Sequence, residues 1–326
     1  MATGTAITSQ PLNTAPLLDQ IAALRRLPSY DALLAYRDLV RLEAPVIRTR
    51  LPDPVIRKKY DNYLSTYERT IPARHFTDHN YAQKLTPVVD LVRSPGIETV
   101  IDVACGNGFE AVLFALFGKT VRANDCTIER TTITRTRAEF YRELVGEGFS
   151  VSTSLANVMA AAPKLGRHDL VFVQEAISHI HPAEEFLALA RDHLIARGGR
   201  LAVCDSNGWN PVTRVRISRH LWAERRTLRH YIVELVDVSS GASFLMAEER
   251  LFSAPTMKRM MRSVGLTPEL TWMSGFSLPL FVRSRTSGIA RTIDEMCRRI
   301  PGIRSLGGFY TIVASTRQSA KQCESA

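Results

Sequence analysis

The sequence TVIDVACGNG, residues 99–108, decides the fold class of this 326-residue chain. Its first half is rich in β-branched residues and favours a buried strand, while Gly106 and Gly108 allow backbone conformations and close approaches that a Cβ atom would block. The apolar run that follows ends at Gly118 and is typical of a helix. A strand, a glycine loop and a helix in this order direct backbone amide groups toward the occupant of the loop, which predicts a site for a nucleotide-like cofactor.

The same stretch satisfies a second, weaker pattern. Gly106, Gly108 and Ala111 match the dinucleotide-binding fingerprint with its permitted final alanine. Isolated matches of this kind also occur in ordinary turns between a strand and a helix, so an NAD-dependent oxidoreductase stays open on this pattern alone. The residues further along the chain have to decide the cofactor.

Composition and charge are those of an ordinary globular protein. Apolar residues make up 45% of the chain, and the formal net charge is +10. No apolar run approaches the roughly 18 residues of a membrane span, and the opening MATGTAITSQ lacks the basic start of a secretory signal. We therefore expect a soluble, cytoplasmic protein without a membrane span.

The five cysteines are scattered singly along the chain. They show neither the paired spacing of a metal site nor the even count of a disulfide framework, so we expect reduced thiols and no bound metal. Cys105 lies in the glycine loop and could serve as a nucleophile, but a small, buried packing residue is the favoured interpretation.

The densest positive charge lies between Arg214 and Arg229, where six arginines stand against the single Glu224. Such a run is often no more than a solvated helix face. Nucleic acid is a less favoured partner, because few stacking groups and no known recognition module accompany the arginines. An anionic small molecule is the favoured one.

Helical and strand-like patterns divide the chain. In residues 1–97 apolar residues recur at three- and four-residue spacing, which predicts a helical N-terminal extension or lid, punctuated by prolines such as Pro45. Residues 98–316 alternate strand-like runs with helices and predict a parallel, doubly wound α/β sheet. Within them, residues 210–252 are too long for a simple loop and predict an insertion after the fifth strand. Residues 317–326 form a C-terminal tail.

The strands are predicted from apolar, β-branched runs. A glycine turn at Gly198 and Gly199 is expected just before the fifth of them. The predicted strands cover Glu98–Ala104, Lys119–Asp125, Phe149–Leu155, His168–Glu175, Arg200–Asp205, Glu269–Gly275 and Gly308–Ala314.

Polar side chains gather where these strands end. Asp125 ends the second strand, where a carboxylate can accept both hydroxyl groups of an adenosine ribose and would repel the 2′-phosphate of NADP. Asn157 follows the third strand, either as an adenine contact or as a turn residue. Gln174 and Glu175 end the fourth strand, at the edge where open α/β sheets bind their ligands. These positions predict an adenosine-containing cofactor.

These segments together resemble the class I S-adenosylmethionine-dependent methyltransferases, in particular their small-molecule group. TVIDVACGNG is similar to the first motif of that family, VRANDCT to its ribose-binding motif, LANV to its adenine-side motif, HDLVFVQEAISHI to its fourth-strand motif and LIARGGRLAVCDS to its fifth strand. The resemblance covers residues 98–206 well and the last two strands loosely. It implies a seven-stranded, mostly parallel, Rossmann-like methyltransferase sheet in the order 3-2-1-4-5-7-6, with the seventh strand antiparallel.

The resemblance also implies S-adenosyl-L-methionine as the cofactor and assigns residues to it. The implied cofactor-binding residues are Asp102, Ala104, Gly106 and Gly108 at the amino-acid part, Asp125 with Cys126 at the ribose, Asn157 and Val158 beside adenine, and Gln174 and Glu175 near the reactive methyl. Ala104 departs from the family pattern, since glycine is commoner at that position. For Asp102, capping of loop amides is an equally good interpretation.

A general base is needed only when the acceptor keeps its proton. His179 and His181 are the candidate catalytic residues, because imidazole titrates near neutral pH. Orienting the loop and starting a helix are their alternative roles, and His75 and His79 are reserve candidates. With Glu175 the histidines could suggest a metal site, but too few ligands converge for one.

The sequence therefore predicts methyl transfer from S-adenosyl-L-methionine to an oxygen or nitrogen of a small acceptor, with an anionic one favoured by the arginine run. Asp205, Asn207 and Trp209 are expected to border the acceptor. A catalytically inactive cofactor-binding or assembly protein is the alternative, and RNA methylation ranks third. A homodimer stays open.

Overall fold

The computed structural model describes residues 15–65, 71–215, 218, 232–236, 243–247, 250–277, 282 and 288–316. Its helices are α1 (Ala15–Leu24), α2 (Ser29–Arg50), α3 (Pro54–Leu64), α4 (Ile71–Val92), α5 (Phe109–Leu116), α6 (Ile128–Val145), α7 (Val158–Leu165), α8 (Ala183–Leu189), α9 (Ala254–Ser263) and α10 (Gly288–Arg299). Its strands are β1 (Thr99–Val103), β2 (Thr120–Asp125), β3 (Ser150–Leu155), β4 (His168–Gln174), β5 (Ile195–Ser206), β6 (Ile232–Val236), β7 (Ser243–Ala247), β8 (Leu266–Ser274) and β9 (Phe309–Thr316).

Seven of these strands form one sheet in the order β3-β2-β1-β4-β5-β9-β8. Strands β1 to β5 pair in parallel, whereas β9 runs antiparallel to both β5 and β8. Because β8 and β9 are the sixth and seventh strands of this sheet along the chain, the predicted order and the antiparallel seventh strand are both confirmed. Strands β6 and β7 form a separate antiparallel pair among the described residues.

Apolar side chains on both faces of the central strands bury the sheet between two helical layers. In β1, Val100 packs into the core beneath α2, α4 and α5, whereas Ile101 and Val103 pack into the opposite core with α8 and α9. Strand β4 alternates in the same way. A strand buried on both faces reads as a continuous apolar run rather than an alternating one, which is why LVFV stands out in the sequence; VIDV is apolar except for the buried Asp102.

The N-terminal helices α1 to α4 pack their apolar faces into the core on one side of the sheet. Helix α2 continues through Pro45 to Arg50, so the expectation that Pro45 ends a helix is wrong. A proline inside a helix removes one hydrogen bond. A large buried surface outweighs that loss here, since twelve residues of α2 are buried.

The fifth strand also begins earlier than predicted. Strand β5 starts at Ile195 and runs through Gly198 and Gly199, so the expected turn is a bulge within the strand. Ile195 pairs with His168, while Arg200 pairs with Leu170, and a Cβ atom on Gly199 would lie 2.9 Å from a backbone oxygen. The close approach of two backbones explains the glycine.

Parts of the sequence interpretation fall outside this description. Most of the Arg214–Arg229 run and the C-terminal tail lie beyond the described residues. The boundaries at residues 97, 210, 252 and 316 stay predictions. No helix within the described ranges has the length and apolar character that crossing a membrane requires.

Candidate functional site

A cavity of about 210 Å³ opens at the carboxyl ends of β1, β2, β3 and β4. It gathers most of the residues that the sequence assigned to a site. Those that line it are Ala104, Asp125, Cys126, Asn157, Val158, Glu175, His179 and His181. Segments up to 77 residues apart in the chain therefore meet at one edge of the sheet, as expected for strands that run in parallel.

The glycine loop, which borders this cavity through Ala104, has three residues in the left-handed backbone region. Ala104 has a φ of 53°, Gly106 of 56° and Gly108 of 67°. A Cβ atom on Gly108 would lie 2.4 Å from Thr134, so this position requires glycine. Ala104 is the residue at which the sequence departs from the family pattern, and it carries a conformation that costs a residue with a Cβ atom free energy.

Asp125 fixes the loop and the start of α6 at once. Its Oδ2 accepts a hydrogen bond from the Gly106 amide at 3.0 Å, and its Oδ1 accepts from the Thr127 amide and hydroxyl, each at 2.9 Å. Arg130 lies 3.8 Å from Oδ2. A carboxylate has about four acceptor positions, so one remains for a ligand hydroxyl, rather than the two that the sequence interpretation assumed.

Asn157 serves as a helix cap and as part of the cavity wall. Its Oδ1 accepts from the Met159 amide at 3.0 Å, which caps the N-terminus of α7. Asn124 holds the neighbouring strand end, since its Nδ2 donates to the backbone oxygens of Ser154 and Ala156. The two interpretations of Asn157 are thus compatible, because a capping side chain also faces the cavity.

An ion pair joins the N-terminal helices to the end of β4. Lys84 of α4 is 4% exposed, and its Nζ donates to Oε1 of Glu175 at 2.7 Å. Burial alone would lower the pKa of Lys84, but the charge and hydrogen bond of Glu175 outweigh it, so this pKa lies above its ordinary value. Glu175 has a φ of 47°, which turns the chain away from the strand. Sequence reasoning missed Lys84, because nothing in a helical pattern tells which lysine reaches the sheet.

Four predicted cofactor residues do not line the cavity. Gly106 donates its amide to Asp125 and accepts from the Thr134 hydroxyl at 3.0 Å, and Gly108 lies against the Thr134 side chain without room for a Cβ atom. Asp102 is 2% exposed, and burial, followed by the charges of Glu110 and Asp125, raises its pKa well above the ordinary range. Gln174 comes just before Glu175. The Oδ2 of Asp102 and the Oε1 of Gln174 are buried without a hydrogen-bond partner in the described part of the chain.

Helices α2, α3 and α6 hold the glycine loop from behind. The buried guanidinium of Arg137 pairs with Glu43 and donates to the backbone oxygen of Asn107 at 3.0 Å. The Tyr36 hydroxyl donates to the backbone oxygen of Phe109. Tyr63 stacks on the Phe109 ring at 4.8 Å between centroids. The N-terminal helices are therefore a structural part of the loop's support.

The two reserve histidines do not reach this cavity. His79 is fully buried, where its Nδ1 meets the Tyr30 hydroxyl at 2.7 Å and its Nε2 meets Asp294 at 2.8 Å. Its ring ties α2 and α4 to α10. His75 is not among the cavity residues. Within the described ranges, no group of three or more His, Cys, Asp or Glu residues is arranged to hold a metal ion.

The described cysteines form no disulfide. Burial raises the pKa of Cys204 to about 12 and that of Cys105 well above its ordinary value. A thiol that keeps its proton is a poor nucleophile, which supports the packing role of Cys105. Cys126 differs from both, because it is half-buried and lines the cavity.

Comparisons with known proteins agree with this architecture. No protein-family model matches the sequence, and no curated protein is similar enough in sequence to match it. Among solved structures, magnesium protoporphyrin IX methyltransferase (ChlM) from Synechocystis PCC 6803 with bound SAH has a TM-score of 0.52 at 13% identity, over 79% of this chain and 94% of that one. The chain has the class I methyltransferase fold. A methyltransferase from Clostridium acetobutylicum ATCC 824 gives a TM-score of 0.49 at 11% identity, over 79% and 98% of the two chains.

Several further residues line the cavity of this methyltransferase fold. Its lining also includes Asn124, Arg130, Ala156, Met159, Ala176 and Ile180, which sequence reasoning did not single out. Arg130 was open to prediction, because it follows Asp125 by five residues at the start of a helix. The apolar members carry no signal of their own, since they differ in no way from core residues.

Proposed function

We propose that the protein transfers a methyl group from S-adenosyl-L-methionine to an oxygen or nitrogen of a small molecule. One observation carries the proposal: Asp125, Asn157 and Glu175 face a single cavity at the carboxyl edge of a methyltransferase fold. ChlM, which shares this fold, is a methyltransferase crystallised with bound SAH, the demethylated product of the cofactor.

The residues present fit an adenosyl cofactor. Asp125 offers its remaining acceptor position to a ribose hydroxyl, and Val158 and Met159 offer apolar contact to an adenine ring beside Asn157. The buried oxygens of Asp102 and Gln174 have no described hydrogen-bond partner, and they suit the ammonium group in the methionine part of this cofactor. When bound, this cofactor would supply an electrophilic methyl group on a sulfonium.

The protein's own contribution would be positioning and proton removal. Holding two reactants in line can supply up to about 7–11 kcal/mol of a barrier in favourable systems. His179 and His181 line the same cavity, half-buried, and are our candidates for the base that takes a proton from a hydroxyl or thiol acceptor. An amine acceptor that is already neutral would need neither.

Cysteine footprinting tests the cofactor site without knowledge of the acceptor. Cys126 lines the cavity, whereas Cys297 lies on α10 and is comparably half-buried. We expect saturating SAH to slow alkylation of Cys126 by N-ethylmaleimide at least about tenfold, because a bound ligand blocks reagent access. The rate at Cys297, followed by mass spectrometry in the same sample, should stay unchanged.

Equal alkylation of Cys126 with and without SAH would contradict the proposed site. Turnover is then measured as SAH release over a panel of small hydroxyl, thiol and amine acceptors. Protection of Cys126 without SAH release from any acceptor would favour the alternative of a cofactor-binding protein that has lost transfer.

A further inference from the structure

We propose that a basic cleft at the far end of the same sheet edge binds a carboxylate or phosphate group of the acceptor. We define the basic cleft by Trp209, Lys258, Arg298 and Arg304, which line a cavity of about 350 Å³. This inference rests on the proposed function and names the chemistry of its acceptor. It is independent of the Arg214–Arg229 run, which lies largely outside the described residues and stays a prediction.

The charges in the basic cleft are unbalanced. Its described lining includes no acidic residue. Arg298 is engaged by Glu295 at 2.8 Å and by Gln83, and it stacks on Trp272. Lys258 and Arg304 have no ion-pair partner among the described residues. Two cations that share a concave site without a counterion attract an anion.

Buried hydrogen bonds hold the cleft in shape. The side chain of Asn207, which is fully buried, donates to the backbone oxygens of Ser305 and Gly307, each at 2.8 Å. Asn210 donates to the backbone oxygen of Leu306 at 2.6 Å. These bonds fasten the loop that carries Trp209 to the turn that carries Arg304. The arrangement is therefore preorganised, which reduces the entropy lost when a ligand binds.

The remaining wall adds further affinity for an anion. Helix α9 begins at Ala254, and its first two residues line the cleft. The positive end of the helix dipole therefore lies at this wall, while Pro255 has no N–H to donate and Ser253 caps the N–H of Thr256. Thr271 of β8 supplies a hydroxyl group at the wall, and the indole of Trp209 is 49% exposed. An exposed indole beside cations suits a flat ring that bears the anionic group.

The position of the basic cleft limits the length of the acceptor. Ser206, Phe309 and Ser274 pair across β5, β9 and β8, so these strand ends share the edge at which the cofactor cavity opens. Three strand spacings separate β4 from β8, or about 14 Å at 4.8 Å each. An acceptor whose methylated atom lies near Glu175 would thus reach the cleft with a group roughly ten bonds away.

Ligand titrations test the cleft independently of the reaction. Phenyl phosphate, benzoate and inorganic phosphate serve as probes, with the intact chain saturated with SAH. We expect Lys258→Met and Arg304→Met each to weaken phenyl phosphate binding by about tenfold or more, since each removes a charge-assisted hydrogen bond. Trp209→Ala should weaken phenyl phosphate but leave inorganic phosphate unchanged. Comparison of phenyl phosphate with benzoate shows which anion the cleft prefers.

Arg259→Met is the matched control, because Arg259 is the exposed neighbour of Lys258 on α9 and its loss changes the net charge equally. Binding of the probes should be the same in this variant and in the unmodified protein. Absence of phenyl phosphate binding at millimolar concentration, or equal weakening by Arg259→Met, would overturn the inference. SAH affinity is measured for every variant, so a folding defect or a failure of the cofactor proposal shows itself separately.

Discussion

The two edges of the sheet each hold a carboxylate with three hydrogen bonds, and the cavity that gathers the predicted cofactor residues opens at the carboxyl edge. At the carboxyl edge Asp125 accepts from Gly106 and Thr127. At the amino edge Asp169 accepts from the Glu98 amide at 3.0 Å and from the Thr99 amide and hydroxyl at 2.8 Å. The two side chains brace their edges alike, so any difference in ligand binding between them reflects the surroundings.

The surroundings of the two carboxylates differ in backbone strain and in whether buried polar atoms have hydrogen-bond partners. The carboxyl edge contains the two described residues other than glycine with positive φ, Ala104 and Glu175. It also contains buried oxygens of Asp102 and Gln174 without a described partner. Strained backbone and unsatisfied polar atoms persist where function requires them. The two edges therefore have similar stabilising hydrogen bonds, whereas the strained backbone of Ala104 and Glu175 and the unpaired buried oxygens lie at the carboxyl edge.

The largest expected effect is on SAH affinity. Asp125→Ala should weaken SAH binding by about 10- to 100-fold or more, because it removes a charge-assisted hydrogen bond and frees the glycine loop. Asp169→Ala removes as many protein hydrogen bonds and should leave SAH affinity within about twofold of the original. Calorimetric titration of both variants, with urea unfolding to match their stabilities, checks the contrast. Equal losses in the two variants would mean that Asp125 acts only as a brace.

The next largest effect concerns stability, because Asp205 at the carboxyl edge and Asp169 at the amino edge make the free energy of unfolding depend on pH in opposite directions. Asp205, at the carboxyl end of β5, is 3% exposed, and burial is the largest cause that raises its pKa to about 6. Since the native state then holds a proton that the unfolded state releases near pH 4, stability falls as pH rises from about 4 to about 6, by about 3 kcal/mol. The carboxylate at the amino edge behaves in the opposite way. Burial alone would raise the pKa of Asp169, but the hydrogen bonds from Thr99 and Glu98 outweigh burial and lower this pKa. Its contribution is therefore lost as pH falls below about 4.

Urea unfolding from pH 3 to pH 7 separates the two carboxylates. Asp205→Asn should gain stability relative to the original protein as pH rises through about 4 to 6, since the amide carries no charge to bury. Asp169→Asn should show its largest deficit at neutral pH, and the deficit should shrink in acid. A pH-independent difference for Asp205→Asn would contradict the buried, proton-holding carboxyl.

The smallest effect concerns backbone strain. Ala104→Gly should stabilise the protein by about 1 kcal/mol, because glycine adopts a φ of 53° without the cost that a Cβ atom incurs. Gly198, in the bulge at the amino edge, has a φ of 78° and open space around it, so Gly198→Ala should destabilise by a similar amount. Thermal unfolding measures both. A loss of stability in Ala104→Gly would show that the methyl group of Ala104 contributes more packing free energy than its backbone strain costs.

Much of this architecture was open to prediction, because parallel strands bring their carboxyl ends together and place Asp125, Asn157 and Glu175 at one edge. Helix caps and turns could also be predicted from the sequence, as the cap that Asn157 provides for α7 shows. Lys84 was not, since its contact with Glu175 joins positions 91 residues apart and depends on how α4 packs. Pro45 was misread because tertiary burial along α2 outweighs a local preference. The basic cleft likewise depends on buried asparagines that bring together two turns about 100 residues apart.

The central claim is that the carboxyl edge of this sheet binds an adenosyl cofactor. Calorimetric titration of the unmodified protein with SAH tests it most directly. We predict saturable binding with one site per chain and a dissociation constant of about 1–100 μM, or roughly −8 to −5 kcal/mol. No heat of binding up to millimolar SAH, with the protein shown to be folded, would contradict the claim.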